Sequence, residues 1–248
     1  MKFWFTLLGL GMVLLSAQAQ NSTTSEEEKK FIKIFYLIYN QQFDEAKLYL
    51  ESYRSTLSPA VYDWLDTERK WWLAIDRKNP ELFKQLENAL KKKLDSLSFL
   101  ETENEDIYFL KIMYEVYLLR IWTMQRRYWK ALGMYYRLEH DWKKLRQWEG
   151  SKEEKQIMEI FSVTFALSKK KFLPFSLSSH KEEKYQKTLE QYAASSHLIP
   201  RTLALYTLVK INTEVNKQPQ NAMYYLEKLI VLYPHNKLFR LLEKEVKH

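Results

Sequence analysis

The sequence predicts an all-α protein, and three observations lead to that prediction. The chain of 248 residues has only four glycines, and Gly9 and Gly11 lie in an apolar N-terminal segment. Because sheets and hairpins use glycine for turns with positive φ, the two remaining glycines are too few for a β-rich chain. Leucine, lysine, glutamate, glutamine and tyrosine dominate the composition. Apolar residues also recur at helical spacing, most clearly from Leu82 to Leu97.

The N-terminal segment 1–19 has the pattern of a secretory signal peptide. Lys2 precedes an apolar run that ends at Leu15, and Ala17-Gln18-Ala19 follows as a small-x-small cleavage site. As a helix, the run spans about 20 Å, whereas a membrane's hydrocarbon core is about 30 Å thick. The sequence therefore predicts cleavage before residue 20, a disordered polar tail over 20–28 and a single α-helical repeat domain over 29–248. An uncleaved membrane anchor is the alternative.

Cysteine usage narrows the predicted export route. The chain has no cysteine, which excludes disulfides, a thiol nucleophile and the acylated cysteine of a bacterial lipoprotein. Secreted animal domains of this size more often contain disulfides. We therefore expect a periplasmic or extracellular bacterial protein that is not a lipoprotein.

Local start and stop patterns divide the chain into helices. Ser58-Pro59 and Asn79-Pro80 are typical helix starts, with a capping side chain before a proline in the first turn. Gly150 is a typical stop. The predicted helices run over 29–40, 43–56, 59–77, 80–97, 105–127, 128–148, 151–169, 182–195, 200–215, 219–232 and 237–247.

Helix polarity indicates how these helices pack. The stretch "IYFLKIMYEVYLLRIW" is apolar nearly all round, whereas the helix after it is amphipathic. A helix that is apolar on every face must be buried on both sides. Stacked helical hairpins bury their first helices in this way. An irregular helical bundle is the alternative.

Three stretches share one pattern: "QQFDEAKLYLESY", "RRYWKALGMYYRLEHD" and "QPQNAMYYLEKLIVLYPHN". Each has a polar turn, a bulky or rigid residue, a small alanine (Ala46, Ala131 or Ala222) and an amphipathic helix. They resemble the second helix of the tetratricopeptide repeat, including the proline that follows it, here Pro234. The resemblance implies a right-handed solenoid of antiparallel helix hairpins, with roughly five irregular pairs and a C-terminal helix.

The resemblance to tetratricopeptide repeats is partial. The three alanines are 85 and 91 residues apart, whereas the family period is about 34 residues. These gaps fit units of about 40 to 50 residues better than strict repeats. The first-helix motif, Trp followed by Leu-Gly and Tyr, is not evident in this chain.

Catalytic and metal-binding patterns are missing from the sequence. Two glycines outside the apolar N-terminal segment cannot build the glycine-rich loops of nucleotide-binding sites or nucleophile elbows. The five histidines are scattered. Glu51-Ser52 resembles the dipeptide at the catalytic acid of lytic transglycosylases, but the glycine-rich segment that follows it in that family is absent. The sequence predicts no enzyme activity, no cofactor and no metal.

A row of residues on the predicted helix 105–127 is the first candidate binding site. Lys111, Glu115, Trp122 and Arg126 are spaced by 4, 7 and 4 residues, which places them on one side of an otherwise apolar helix. If this helix lines a groove, the row would contact a ligand, and its mixed charge favours a peptide or a partner helix. The predicted extensions of the row are Lys33, Asn40, Glu159, Ser162, Lys210 and Glu214.

The segment "SKKKFLPFSLSSHKEEK" is the second candidate site. Lys170, Lys171, Phe172 and Phe175 combine positive charge with aromatic rings in a predicted loop, a combination that suits an anionic polymer or membrane surface. Burial of the two phenylalanines in the helix stack is the alternative.

These observations favour a binding protein. The resemblance implies a scaffold or adaptor that binds proteins or peptides in a bacterial cell envelope. A carbohydrate-binding or anionic-polymer-binding protein is the alternative function. The net charge of +8 comes from basic residues spread among acids, and with the predicted export this argues against a nucleic-acid partner.

Overall fold

The computed structural model describes residues 26–97, 105–145, 156, 159–167 and 179–247. Within these ranges the chain is helical and contains no strand, which confirms the all-α prediction. The predicted signal peptide and the loop residues Lys170, Lys171, Phe172 and Phe175 lie outside the described residues. The helices are α1 (Glu26–Tyr39), α2 (Phe43–Ser52), α3 (Pro59–Arg77), α4 (Pro80–Leu97), α5 (Glu105–Met124), α6 (Tyr128–Leu145), α7 (described over 159–167), α8 (Ser179–Ala193), α9 (Leu198–Glu214), α10 (Pro219–Leu232) and α11 (Lys237–Lys247).

Side-chain caps fix two helix starts where the sequence predicts them. The Val61 backbone N–H donates to Ser58 Oγ at 3.2 Å before α3. The Glu81 backbone N–H donates to Asn79 Oδ1 at 2.9 Å before α4. Each cap satisfies a backbone donor that the first helical turn leaves unpaired.

Other helix ends differ from the prediction by a few residues. α1 begins at Glu26, so residues 26–28 of the predicted tail are helical. α5 ends at Met124 rather than at residue 127, because Arg126 has a φ of 60° in the following turn. A left-handed residue cannot continue a right-handed helix.

The chain divides into two compact units, and the single repeat domain over 29–248 stays a prediction. The first unit contains α1 to α6 up to residue 154, and the second contains residues 155–248. The short segment 39–41 also belongs to the second unit. The two units are described separately below.

The core of the first unit forms around α5. Helices that follow each other in sequence, from α2 to α6, pack pairwise, and α3 also packs against α5. The rings of Phe31 and Trp64 lie 5.4 Å apart and join α1 to α3. Residues 112–121 of α5 are all buried, as the prediction for a helix that is apolar all round requires.

The core of the second unit forms around α9, which packs against α8 and α10. Residues 202–212 of α9 are all buried. The rings of Tyr206 and Phe239 lie 6.1 Å apart and join α9 to α11. Asn236 accepts from the Phe239 N–H at 3.1 Å, capping α11, and donates to the Tyr39 carbonyl at 2.7 Å.

The three pattern alanines are buried. Ala46 and Ala222 have no exposed surface, and Ala131 is 4% exposed. A small side chain at these positions allows close packing of the helix against its neighbour.

Candidate functional site

The first predicted site residue, Lys111, forms an ion pair with α6. Its Nζ lies 2.8 Å from Asp141 Oδ2, and the Tyr108 hydroxyl donates to the Asp141 carbonyl at 2.8 Å. Burial acts to raise the pKa of Asp141, but hydrogen bonds from Lys111 and His140 hold it below its usual value. Lys111 therefore contributes to the α5–α6 contact.

The second predicted residue, Glu115, is fully buried beside the same ion pair. Arg137 Nε of α6 lies 2.6 Å from Glu115 Oε1. Burial raises the pKa of Glu115 to about 7, although the nearby Arg137 and Lys111 act to lower it. Glu115 is thus a carboxyl group whose charge changes near neutral pH.

The remaining two predicted residues lie near the C-terminal end of α5. Trp122 Nε1 donates to Glu87 Oε1 of α4 at 2.9 Å. Glu87 also binds Arg127 and Lys91, at 2.8 Å and 2.6 Å. Arg126 is exposed in the turn between α5 and α6.

The structure therefore does not place the four predicted residues on one open face of α5. Lys111 and Glu115 face α6, Trp122 contacts α4, and Arg126 is exposed beyond the helix end. Their role as ligand contacts stays a prediction.

The predicted extensions of this row also have partners within their own unit. In the first unit, Lys33 Nζ lies 3.7 Å from the centre of the Tyr49 ring. In the second unit, Lys210 is buried and pairs with Glu214 at 2.7 Å, and Glu159 accepts from the Tyr192 hydroxyl.

The sequence analysis missed an exposed apolar surface on α6. We define the aromatic face of α6 as Tyr128, Trp129, Leu132, Gly133 and Tyr136. Trp129 is 87% exposed and Tyr136 is 57% exposed. A Cβ built at Gly133 would meet no atom of the described chain within 4 Å.

The i, i+4, i+8 spacing of Tyr128, Leu132 and Tyr136 could have revealed this face. Leu132 and Tyr136 lie on the side of α6 away from the buried stripe of Ala131, Met134 and Leu138, and Tyr128 lies at the edge of that side.

Positive charge lies at the start and along one edge of the aromatic face. Arg126 precedes α6. Lys130 and Arg137 are about two helical turns apart and lie along the same edge of the helix. All three side chains are exposed. The first turn of α6 has no acidic residue, and a helix N-terminus itself carries partial positive charge. This end of the face can therefore attract an anionic group.

The sequence analysis also missed a buried charged pair between α3 and α5. Glu68 and Arg120 are 0% and 2% exposed, and Arg120 Nη1 lies 4.0 Å from Glu68 Oε2. Trp72 Nε1 donates to Glu68 at 2.8 Å, and the Tyr117 hydroxyl donates to it as well. The Arg120 guanidinium lies 4.0 Å from the centre of the Trp71 ring. We assign this cluster to the stability of the unit, because it is enclosed by protein.

The second unit has an open groove of about 510 Å³ between α8 and the α9–α10 connection. Its lining includes three carboxylates, of Glu182, Glu183 and Glu190. Glu183 pairs with Lys187 at 2.8 Å, and Glu190 accepts from the Tyr225 hydroxyl at 3.1 Å. Glu183 and Glu190 therefore have partners within the unit.

Comparisons with known proteins do not assign a function to either unit. No group of three or more metal-binding side chains occurs among the described residues. No described helix has both the length and the apolar character that a membrane crossing requires. No protein-family model, curated protein or solved structure matches this chain. The structure thus defines the class as an all-α protein of packed neighbouring helices.

Proposed function

We propose that this protein is an exported scaffold or adaptor that binds another protein in a bacterial cell envelope. The observation that carries the proposal is the aromatic face of α6. Its four large apolar side chains are between 39% and 87% exposed. Contiguous exposed apolar surface is typical of interaction sites, and aromatic residues are enriched in the energetically dominant parts of protein interfaces.

The helix contacts support the tetratricopeptide-like part of this proposal. In the first unit, α3 contacts both α1 and α5. In the second unit, the Thr164 and Thr207 hydroxyls lie 3.1 Å apart between α7 and α9, and α9 also contacts α11. Contacts between alternate helices are expected when the first helices of stacked hairpins line one surface. A right-handed solenoid is the arrangement that we propose.

The export part of the proposal depends on the N-terminal pattern of the sequence. Lys2, the apolar run and the Ala-x-Ala site predict that the mature chain begins at Gln20. Mass spectrometry of the protein recovered from the periplasm and medium of an expressing bacterium tests this. An intact N-terminus in the membrane fraction would contradict it.

The alternative function is binding of a carbohydrate or an anionic polymer. Trp129 and Tyr136 favour it, because exposed aromatic rings can stack on sugar rings as well as on protein side chains. The two functions differ in their response to salt. Binding of an anionic polymer by lysines weakens steeply with ionic strength, whereas apolar contacts between proteins persist.

Affinity capture from a cell-envelope extract tests the proposed function. The bait is the chain from Gln20, compared with a Trp129→Ala/Tyr136→Ala variant and with Val231→Ala as a control. Val231 is 80% exposed on α10, outside the aromatic face. We expect a discrete protein that stays bound to wild type and control in high salt but is lost from the double variant.

Two results of this capture would contradict the proposal. One is equal capture by all three baits. The other is recovery of only polymer or lipid that elutes with salt, which would favour the alternative function.

A further inference from the structure

We propose that the aromatic face of α6 binds an amphipathic helix of another protein, with acidic residues of that helix facing Arg126 and Lys130. This inference rests on the proposed function and specifies its partner. It follows from the shape of the face, from its length and from the charges beside it.

The shape of the face depends on Gly133. Glycine in a helix interior is unfavourable relative to alanine, and here the space beside it is open. Packing within the described chain therefore gives no reason for a glycine at this position. Trp129 and Tyr136 lie one turn before and after Gly133, and Leu132 lies beside it, so the missing side chain leaves a depression between large ones. A side chain from a neighbouring helix can enter such a depression as a knob enters a hole.

The length of the face also suits a helix. From Tyr128 to Tyr136 it runs for about 12 Å along the axis, slightly more than two helical turns. A docked helix presents its apolar residues at i, i+3 or i+4, and i+7 over the same distance. A sugar ring would need a level aromatic platform, which the Leu132 side chain and the Gly133 depression interrupt.

The charges select an acidic partner. Arg126 and Lys130 are exposed, and neither forms an ion pair within the described ranges. Arg137 lies farther along the same edge but pairs with the buried Glu115. Glutamate or aspartate residues along one side of the docked helix would pair with Arg126 and Lys130 and would be favoured by the α6 N-terminus.

A displayed library of designed amphipathic helices tests this inference. Every member has the same Leu and Ala face, and the flanking positions vary between Glu and Lys. We expect the chain from Gln20 to enrich helices with Glu on one flank. Lys130→Glu should weaken that preference for Glu, whereas Lys47→Glu should not change it. Lys47 is a matched control because it is exposed on α2.

Two substitutions of Gly133 separate binding from folding. Gly133→Ala should raise the thermal midpoint of unfolding and lower the affinity for the selected helix. Gly133→Leu should lower that affinity at least tenfold. Circular dichroism confirms that each variant is folded. Unchanged affinity in both variants would overturn the inference, as would enrichment that ignores the flank charge.

Negative results in the library selection and in the envelope capture contradict different proposals. If no helix is enriched but capture still depends on Trp129 and Tyr136, the helical partner is wrong and the proposed function stands. If capture does not depend on them either, the proposed function fails as well.

Discussion

The two buried helices α5 and α9 occupy similar positions in their units but satisfy their polar groups differently. In α5, Arg120 and Glu115 are buried and interact with charged groups of α3 and α6. In α9, the buried Lys210 interacts with Glu214 of the same helix.

Two polar contacts from α9 to neighbouring segments are made by uncharged groups. The Thr202 and Tyr233 hydroxyls lie 2.6 Å apart, and the Thr207 and Thr164 hydroxyls lie 3.1 Å apart. The comparison teaches that the buried charges of α5 meet charged groups on neighbouring helices, whereas the buried Lys210 of α9 pairs with a residue of its own helix. We therefore expect the first unit to respond more strongly to pH and to single charge removals.

The largest expected effect is for Arg120→Met. The substitution leaves Glu68 buried without its cation, and breaking a buried ion pair from one side costs about 3 to 5 kcal/mol. Urea unfolding followed by tryptophan fluorescence measures the loss. Lys91→Met is the control, because Lys91 is 43% exposed in its ion pair with Glu87 and its loss should cost less than about 1 kcal/mol. Equal losses of unfolding free energy in the two variants would contradict the expected difference between the buried and the half-exposed ion pair.

The next effect is pH-dependent and concerns Glu115→Gln. Because the folded pKa of Glu115, about 7, lies above its ordinary value of 4.5, its contribution to the unfolding free energy falls as pH rises between these values. At pH 8 we expect Glu115→Gln to be more stable than wild type by about 2 to 3 kcal/mol. At pH 4 the difference should nearly vanish. The charged groups that act on Glu115 are Lys111 of α5 and Arg137 and Asp141 of α6.

Asp141→Asn is the matched comparison for Glu115→Gln. The pKa of Asp141 is lowered in the folded chain, so its stabilising contribution is present above its unfolded pKa and is lost as pH falls. Urea unfolding should therefore show the Glu115 contribution falling as pH rises from 4.5 to about 7, and the Asp141 contribution falling as pH drops below 3.8. Equal slopes would contradict the assignment of charge to these two carboxyls.

The smallest expected effect is for the double variant Lys210→Met/Glu214→Gln. The pair lies within α9, and burial acts to lower the pKa of Lys210 but the Glu214 carboxylate raises it above its usual value. Replacing both partners of a buried pair is often nearly neutral. We expect a change of less than about 1 kcal/mol in the unfolding free energy. A loss as large as that of Arg120→Met would show that the second unit also depends on charge.

The sequence by itself determined the helical class and many of the helix limits. Ser58 and Asn79 cap α3 and α4 where predicted, and α10 and α11 have their predicted limits. These features are local, because a cap, a proline or an apolar stripe acts within a few residues of chain. The burial of α5 was also predictable, since a helix that is apolar all round must be covered.

Only the tertiary structure decided which residues meet and which stay exposed. The contact of Arg120 with Glu68 joins two helices that are distant in sequence, and no local pattern encodes such a pair. The exposure of Trp129 depends on which face of α6 packs against α5. The ion pairs of Lys111 and Glu115 of α5 with Asp141 and Arg137 of α6 help to set that face. Three predicted site residues, Lys111, Glu115 and Trp122, therefore lie in helix contacts, while the exposed surface lies on the other side of α6.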